Sequence, residues 1–118
     1  MLRVANAGQT QPLLWKDGHV EQLKLTGFPI GIFDDATYDE WSVKLSKGDI
    51  LVFYSDGLTE ASNREGKFFG AGRLISILEK HTQLSSSDLA DRMLEEVQEF
   101  TEGGAITDDR TLVVMKVK

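Results

Sequence analysis

The segment "ILVFYSDG" (Ile50–Gly57) constrains the fold of this chain more than any other. Its first five residues are apolar without interruption, which predicts a strand buried on both faces rather than on one. Such a strand requires a layer of structure above and below it. Ser55, Asp56 and Gly57 follow at once, so the fold carries a carboxylate to the end of a buried strand. That arrangement is typical either of an ordinary Asp-Gly turn or of one half of a polar site.

The other sequence patterns predict one α+β domain with mainly antiparallel strands and two helices on one face of the sheet. Asp17-Gly18 between two apolar segments predicts a two-residue hairpin turn. The residues after Asp56 are polar and rich in Gly, which predicts a loop. The predicted strands cover residues 1–5, 12–15, 20–25, 38–45, 50–54 and 111–117, a loop covers 26–31, and the predicted helices cover 73–80 and 87–100.

The second helix has the clearest pattern. Ser86 or Ser87 is expected to cap it, because a serine hydroxyl can accept a hydrogen bond from the first turn of a helix. Gly103-Gly104 is expected to end it. Its apolar face is expected to pack on the sheet through Leu89, Met93, Leu94, Val97 and Phe100.

Charge and composition exclude several classes of function. The net charge is -6, with 19 acidic and 13 basic residues and no basic cluster, which argues against nucleic acid and anionic membranes as partners. The longest apolar run is five residues, far short of the roughly 20 that span a bilayer. The absence of Cys excludes disulfides and thiolate metal sites and permits a reducing, cytoplasmic location.

A second acidic pair gives Asp56 a possible partner. Asp108 and Asp109 come just before the last strand, whereas Asp56 follows the end of a strand. If those strands are antiparallel neighbours, two or three of these carboxylates meet at one edge of the sheet. Closely spaced carboxylates repel each other unless a cation neutralises them, and oxygen ligands suit Mg²⁺ or Mn²⁺. Gly57 would let the backbone turn sharply beside the ion. A turn at Asp56 and a solvated Asp108-Asp109 pair is the alternative.

Four motifs, in this order, carry a resemblance to a known family: "VANAGQTQPLLW", "GFPIGIF", "GDILVFYSDGLTEASNREGKFFG" and "TDDRTLVVMKV". Together they resemble the PPM (PP2C-like) protein serine/threonine phosphatases, in their bacterial SpoIIE/RsbU branch. The resemblance implies part of an α-β-β-α sandwich, with residues 1–118 as the carboxyl-terminal portion of the domain. It also implies two divalent metals, Mn²⁺ or Mg²⁺, and hydrolysis of phosphoserine or phosphothreonine by metal-activated water.

The resemblance also implies roles for particular residues. Asp56 and Asp108 match metal ligands of the family, while Asp109, Gly57 and Thr111 match positions that support the site or offer an alternative ligand. Gln9 departs from the pattern, because the family usually has His at that place. The family's amino-terminal half carries the ligand that bridges both metals. We therefore expect this chain alone to bind metal weakly and to be inactive.

The expected partner is a phosphorylated anti-sigma-factor antagonist of the STAS type, which the resemblance implies. Arg64 and Lys67, on the polar segment after Asp56, are candidates for meeting a phosphate or an acidic partner, with a solvated loop as the alternative. An apolar sheet face left open by the absent half predicts self-association. A degenerate phosphatase half that binds a protein without catalysis is the second functional hypothesis.

Overall fold

A computed structural model describes residues 1–25, 27, 29–104 and 109–118. The described residues form short strands in the first half of the chain, helices in the second, and a final strand. In order, these are β1 (Leu2–Ala5), β2 (Leu13–Lys16), β3 (His19–Gln22), β4 (Glu40–Val43), β5 (Ile50–Tyr54), α1 (Asp56–Thr59), α2 (Ala71–Lys80), α3 (Ser86–Phe100) and β6 (Leu112–Lys116).

The strands form two sheets within the described residues, and every pairing in them is antiparallel. The larger sheet has the order β3-β2-β5-β6, and β1 pairs with β4 in a separate ribbon. The turn between β2 and β3 has φ of 52° at Asp17 and 84° at Gly18, the left-handed values that a type I′ hairpin needs. The predicted α+β class, with a mainly antiparallel sheet, is confirmed.

Strand β5 is buried from both sides, as its uninterrupted apolar sequence predicts. Ile50, Val52 and Tyr54 belong to the main core, which α2 and α3 complete with residues such as Leu78 and Met93. Both helices therefore pack on one face of the larger sheet. Full burial of each such aliphatic side chain stabilises the fold by about 1.5–3 kcal/mol.

The opposite face of the larger sheet is only partly covered. Leu51 is buried there in a second cluster, to which Leu2 and Trp41 of the β1–β4 ribbon contribute. The ribbon does not extend over β6, where Val113 is 49% exposed and Met115 is 43% exposed. An apolar strip therefore remains open on this face.

A buried ion pair fixes the turn that leads into β5. Lys16 Nζ lies 2.8 Å from Asp49 Oδ2, and the Ser46 amide donates to the same oxygen at 2.8 Å. Burial works to raise the pKa of Asp49, but the hydrogen bonds from Lys16 and from the Ser46 amide outweigh it and hold that pKa below its ordinary value. The hydrogen bond to Asp49 raises the pKa of Lys16.

Several predicted boundaries are wrong. The strand predicted over 38–45 extends only from Glu40 to Val43, and α2 begins at Ala71 rather than Arg73. The loop predicted after Asp56 is helical at its start, because Leu58 and Ala61 turn into the core. Within the loop predicted over 26–31, residues 26 and 28 lie outside the described residues.

The second helix also differs from its prediction. Ser85, not Ser86 or Ser87, caps α3, because its side chain accepts a hydrogen bond from the Asp88 amide. Leu94 is 41% exposed, since it follows buried Met93 by one residue and is rotated about 100° away from it on the helix. Leu89 and Val97 are buried as expected, and Phe100 packs against the core.

Candidate metal-binding edge of the sheet

The end of β5 and the start of β6 lie side by side. The two strands are antiparallel, and Tyr54, the last residue of β5, pairs with Leu112, the first residue of β6. Asp56 follows β5 by two positions, and Asp109 precedes β6 by three. The geometric condition behind the predicted acidic edge, that these strands be antiparallel neighbours, is therefore met.

Hydrogen bonds from Ser55 continue the pairing one step beyond the strands. The Ser55 amide donates to the Thr111 carbonyl at 3.0 Å, and the Thr111 amide donates to Ser55 Oγ at 2.9 Å. The Ser55 hydroxyl donates in turn to the Asp109 carbonyl at 3.4 Å. The Thr111 backbone thus joins the two acidic segments, and its role in supporting the site stays a prediction.

Asp56 is the first residue of α1 and is exposed to solvent. Its carbonyl accepts from the Glu60 amide at 2.8 Å, so the helical turn holds its backbone. Gly57 is buried and helical, and its φ is not in the left-handed region. Buried Leu58 attaches α1 to the core and so fixes the base from which the Asp56 carboxylate projects.

The second acidic segment is described only in part. Asp108, predicted as a metal ligand, lies outside the described residues, while Asp109 is described and exposed. Within residues 1–25, 27, 29–104 and 109–118, no group of three or more His, Asp or Glu side chains could hold a metal ion. Carboxylate oxygens are the donors that Mg²⁺ and Mn²⁺ prefer. The edge therefore fits a divalent cation in donor chemistry, although its described donors do not form a complete set.

A buried asparagine supports this edge from the other side of β5, and the sequence analysis missed it. Asn6 is 5% exposed; its Oδ1 accepts from the Gln9 amide at 2.7 Å, and its Nδ2 donates to the carbonyls of Gln9 and Thr10. The Thr10 hydroxyl then donates to the Tyr54 carbonyl. Asn6 thus holds the turn from which Thr10 contacts Tyr54, the residue that precedes Ser55.

The turn after β1 also packs against the motif "GFPIGIF". Gly8 has φ of +83°, and a Cβ at that position would stand 2.7 Å from the Pro29 ring. A Cβ at Gly27 would stand 2.1 Å from the Asn6 carbonyl oxygen. Close packing therefore explains the glycines at positions 8 and 27, because neither position has room for a side chain.

Tyr54 lies in the core at the end of β5. The ring is 8% exposed, and Gln22 Nε2 donates to the phenol oxygen at 3.4 Å. Burial raises the pKa of Tyr54, and the negative charge of Asp56 raises it further.

The two basic candidates lie on the segment between α1 and α2. The Arg64 guanidinium lies against Gly103, where a Cβ would stand 2.0 Å from Arg64 Nε. Lys67 Nζ is 4.0 Å from a carboxylate oxygen of Glu65, and both side chains are exposed. Arg64 therefore contacts the turn after α3, and a role of either residue toward substrate stays a prediction.

The comparison with protein families decides the relationship of the chain. The family model described as "Stage II sporulation protein E (SpoIIE)" matches residues 1–118. The chain belongs to the SpoIIE family. This membership confirms the family resemblance carried by the four sequence motifs.

Relatives and solved structures of the family agree with it. Phosphoserine phosphatase RsbU from Bacillus subtilis is 30% identical over 106 residues, which are 87% of this chain and 30% of RsbU. The SiaA-PP2C domain of Pseudomonas aeruginosa has a TM-score of 0.76 at 24% identity, over 98% of this chain and 46% of that one. The phosphatase domain of SpoIIE from Bacillus subtilis has a TM-score of 0.64 at 26% identity, over 97% of this chain and 49% of that one.

The matches also show how much of each relative the chain covers. It spans between 13% and 30% of the length of the curated relatives it matches. The fold is that of PP2C-type phosphatases, which the solved structures share. No helix among the described residues has the length and apolar character that crossing a membrane requires.

Proposed function

We propose that this chain is the carboxyl-terminal portion of a PPM-type protein phosphatase domain that hydrolyses phosphoserine on a protein. The observation that carries the proposal is the edge where β5 meets β6, with Asp56 on one segment and Asp109 on the other. Similarity to RsbU and RsbP, both named phosphoserine phosphatases, supports this class of reaction.

The proposed cofactor is Mn²⁺ or Mg²⁺, with Asp56 and Asp108 as ligands and Asp109 as an alternative ligand. Family membership supports it, as does the SpoIIE phosphatase domain that was solved after presoaking with Mn. When bound, such an ion lowers the pKa of a coordinated water and neutralises charge on the phosphoryl group. The chain's own contribution is positional, because α1 and the Ser55–Thr111 bonds hold the two acidic segments beside each other.

The proposed substrate is a phosphorylated anti-sigma-factor antagonist of the STAS type, and the proposed location is the cytoplasm. Residues 1–118 supply only part of the ligand set, so we expect weak metal binding and no useful phosphatase activity from the chain alone. A reactive group misplaced by about 1 Å can cost on the order of a hundredfold in rate, and an absent metal ligand costs more.

The proposal is tested by joining this chain to the amino-terminal portion of a SpoIIE-family phosphatase domain and measuring phosphate release from a phosphoserine protein. We expect release that depends on Mn²⁺ and is abolished by Asp56→Asn or Asp108→Asn. Asp91→Asn, at an exposed position on α3, is the matched control and should leave the rate unchanged. Equal rates in Asp56→Asn and wild type would refute the site assignment.

The second candidate is a protein-binding module without catalysis, and the exposed apolar strip at Val113 and Met115 favours it. The same strip supports the expected self-association of the chain, since large apolar patches mark interaction surfaces. Light scattering of the wild type and of the Val113→Thr/Met115→Thr double variant tests the self-association. We expect association that the double variant weakens, and a wild type that stays monomeric at high concentration would contradict the expectation.

A further inference from the structure

Ser55 occupies the capping position of α1 but does not act as a cap. A serine at this position usually accepts a hydrogen bond from an amide of the first helical turn. In the described structure the Ser55 side chain makes no such bond. Its hydroxyl is directed instead to the neighbouring segment, where it accepts from the Thr111 amide and donates to the Asp109 carbonyl.

The start of α1 explains why a hydroxyl is needed at this position. In an antiparallel ladder, a hydrogen-bonded pair exchanges two amide–carbonyl bonds. Ser55 and Thr111 make the first of these, from the Ser55 amide to the Thr111 carbonyl at 3.0 Å. The second is replaced, because the Ser55 carbonyl accepts from the Leu58 amide at 3.0 Å as α1 begins and the Thr111 amide donates to Ser55 Oγ at 2.9 Å. Ser55 Oγ replaces that carbonyl as the acceptor for Thr111.

We infer that Ser55 is a positioning residue, which holds the Asp109–Thr111 segment in register with Asp56 across the edge of the sheet. A serine hydroxyl has one donor and two acceptor lone pairs, so it can serve Asp109 and Thr111 at the same time. The strand pairing ends at this point and the next turn leads away into α1. Without the hydroxyl, the Thr111 amide loses its hydrogen-bond acceptor. The segment that carries Asp109 also loses a side-chain hydrogen bond to Ser55. The inference rests on the proposed function only for its consequence in catalysis.

The bonding itself is tested on the 118-residue chain by amide hydrogen exchange followed by NMR. In Ser55→Ala, we expect the Thr111 amide to exchange about tenfold faster or more, because a hydrogen bond and its acceptor are lost. Amides in the middle of β6 should keep their wild-type rates. Ser55→Thr retains the hydroxyl and an extended backbone suits it, so the Thr111 rate should return toward wild type. Ser76→Ala on α2 is the matched control and should change neither rate.

The consequence for the site is tested in the joined phosphatase described above. We expect Ser55→Ala to raise the Mn²⁺ concentration for half-maximal phosphate release by about tenfold, because the second acidic segment is held less firmly. Ser55→Thr should restore it. An unchanged Thr111 exchange rate, or an unchanged Mn²⁺ requirement in an active Ser55→Ala enzyme, would overturn the inference. An inactive wild type together with the expected exchange result would overturn the proposed function and leave the positioning of Thr111 by Ser55 supported.

Discussion

Asn6 provides a quantitative test of how the first turn supports the β5 edge. Its side chain makes three hydrogen bonds, at 2.7 Å, 3.1 Å and 3.3 Å, with Gln9 and Thr10. Each such bond contributes about 0.5–1.5 kcal/mol net to stability, so the full loss is about 1.5–4.5 kcal/mol. Gln9 is exposed and water can reach its amide, so we expect Asn6→Ala to lower the free energy of unfolding by about 2 kcal/mol.

Asn63 is a matched control for this substitution. Its side chain accepts from the amides of Glu65 and Lys67, both at 3.0 Å, but in an exposed turn. We expect Asn63→Ala to cost about 0.5 kcal/mol, because water replaces those bonds readily. Urea unfolding followed by circular dichroism measures both variants. An Asn6→Ala effect no larger than that of Asn63→Ala would refute the role assigned to the buried turn.

Two further predictions concern the core and the buried ion pair. Leu58→Ala should lower the free energy of unfolding by about 2–5 kcal/mol, because the Leu58 side chain of α1 is fully buried in the core; unfolding in urea measures it. The folded pKa of Asp49 lies below its ordinary 3.8, so the folded state binds fewer protons than the unfolded state in this range. The contribution of Asp49 is therefore present above that pH and lost as pH falls through the folded pKa. Asp49→Asn should flatten this acid-side loss in thermal melts at a series of pH values, and an equally steep loss would contradict the assignment.

The larger features of the fold could be predicted because they depend on local sequence patterns. The hairpin follows from Asp17-Gly18, which supplies two residues that tolerate positive φ. The bounds of β5 follow from its uninterrupted apolar run, which ends at Tyr54, just before the polar Ser55. The sequence alone did not establish that β5 and β6 are antiparallel neighbours. The register that pairs Tyr54 with Leu112 shows that they are.

The features that were not predicted depend on tertiary contacts. The helical turn at Asp56 has only Leu58 and Ala61 as apolar positions, too few to show a helical period. Ser85 was overlooked as the cap of α3 because three serines follow one another and only the backbone geometry distinguishes them. The bond from Thr10 to the Tyr54 carbonyl joins residues 44 positions apart, so no local pattern can reveal it.

The central claim, that a divalent metal binds at the edge formed by β5 and β6, is tested most directly by titrating the chain with Mn²⁺ and recording paramagnetic broadening of amide NMR signals. Mn²⁺ broadens the signals nearest to it, so weak binding is sufficient for the measurement. We predict that the amides of residues 55–58 and 109–111 broaden first and that Asp56→Asn removes this preference. First broadening at the acidic groove beside α3, around Glu95, Glu99 and Glu102, or broadening unchanged in Asp56→Asn, would contradict the claim.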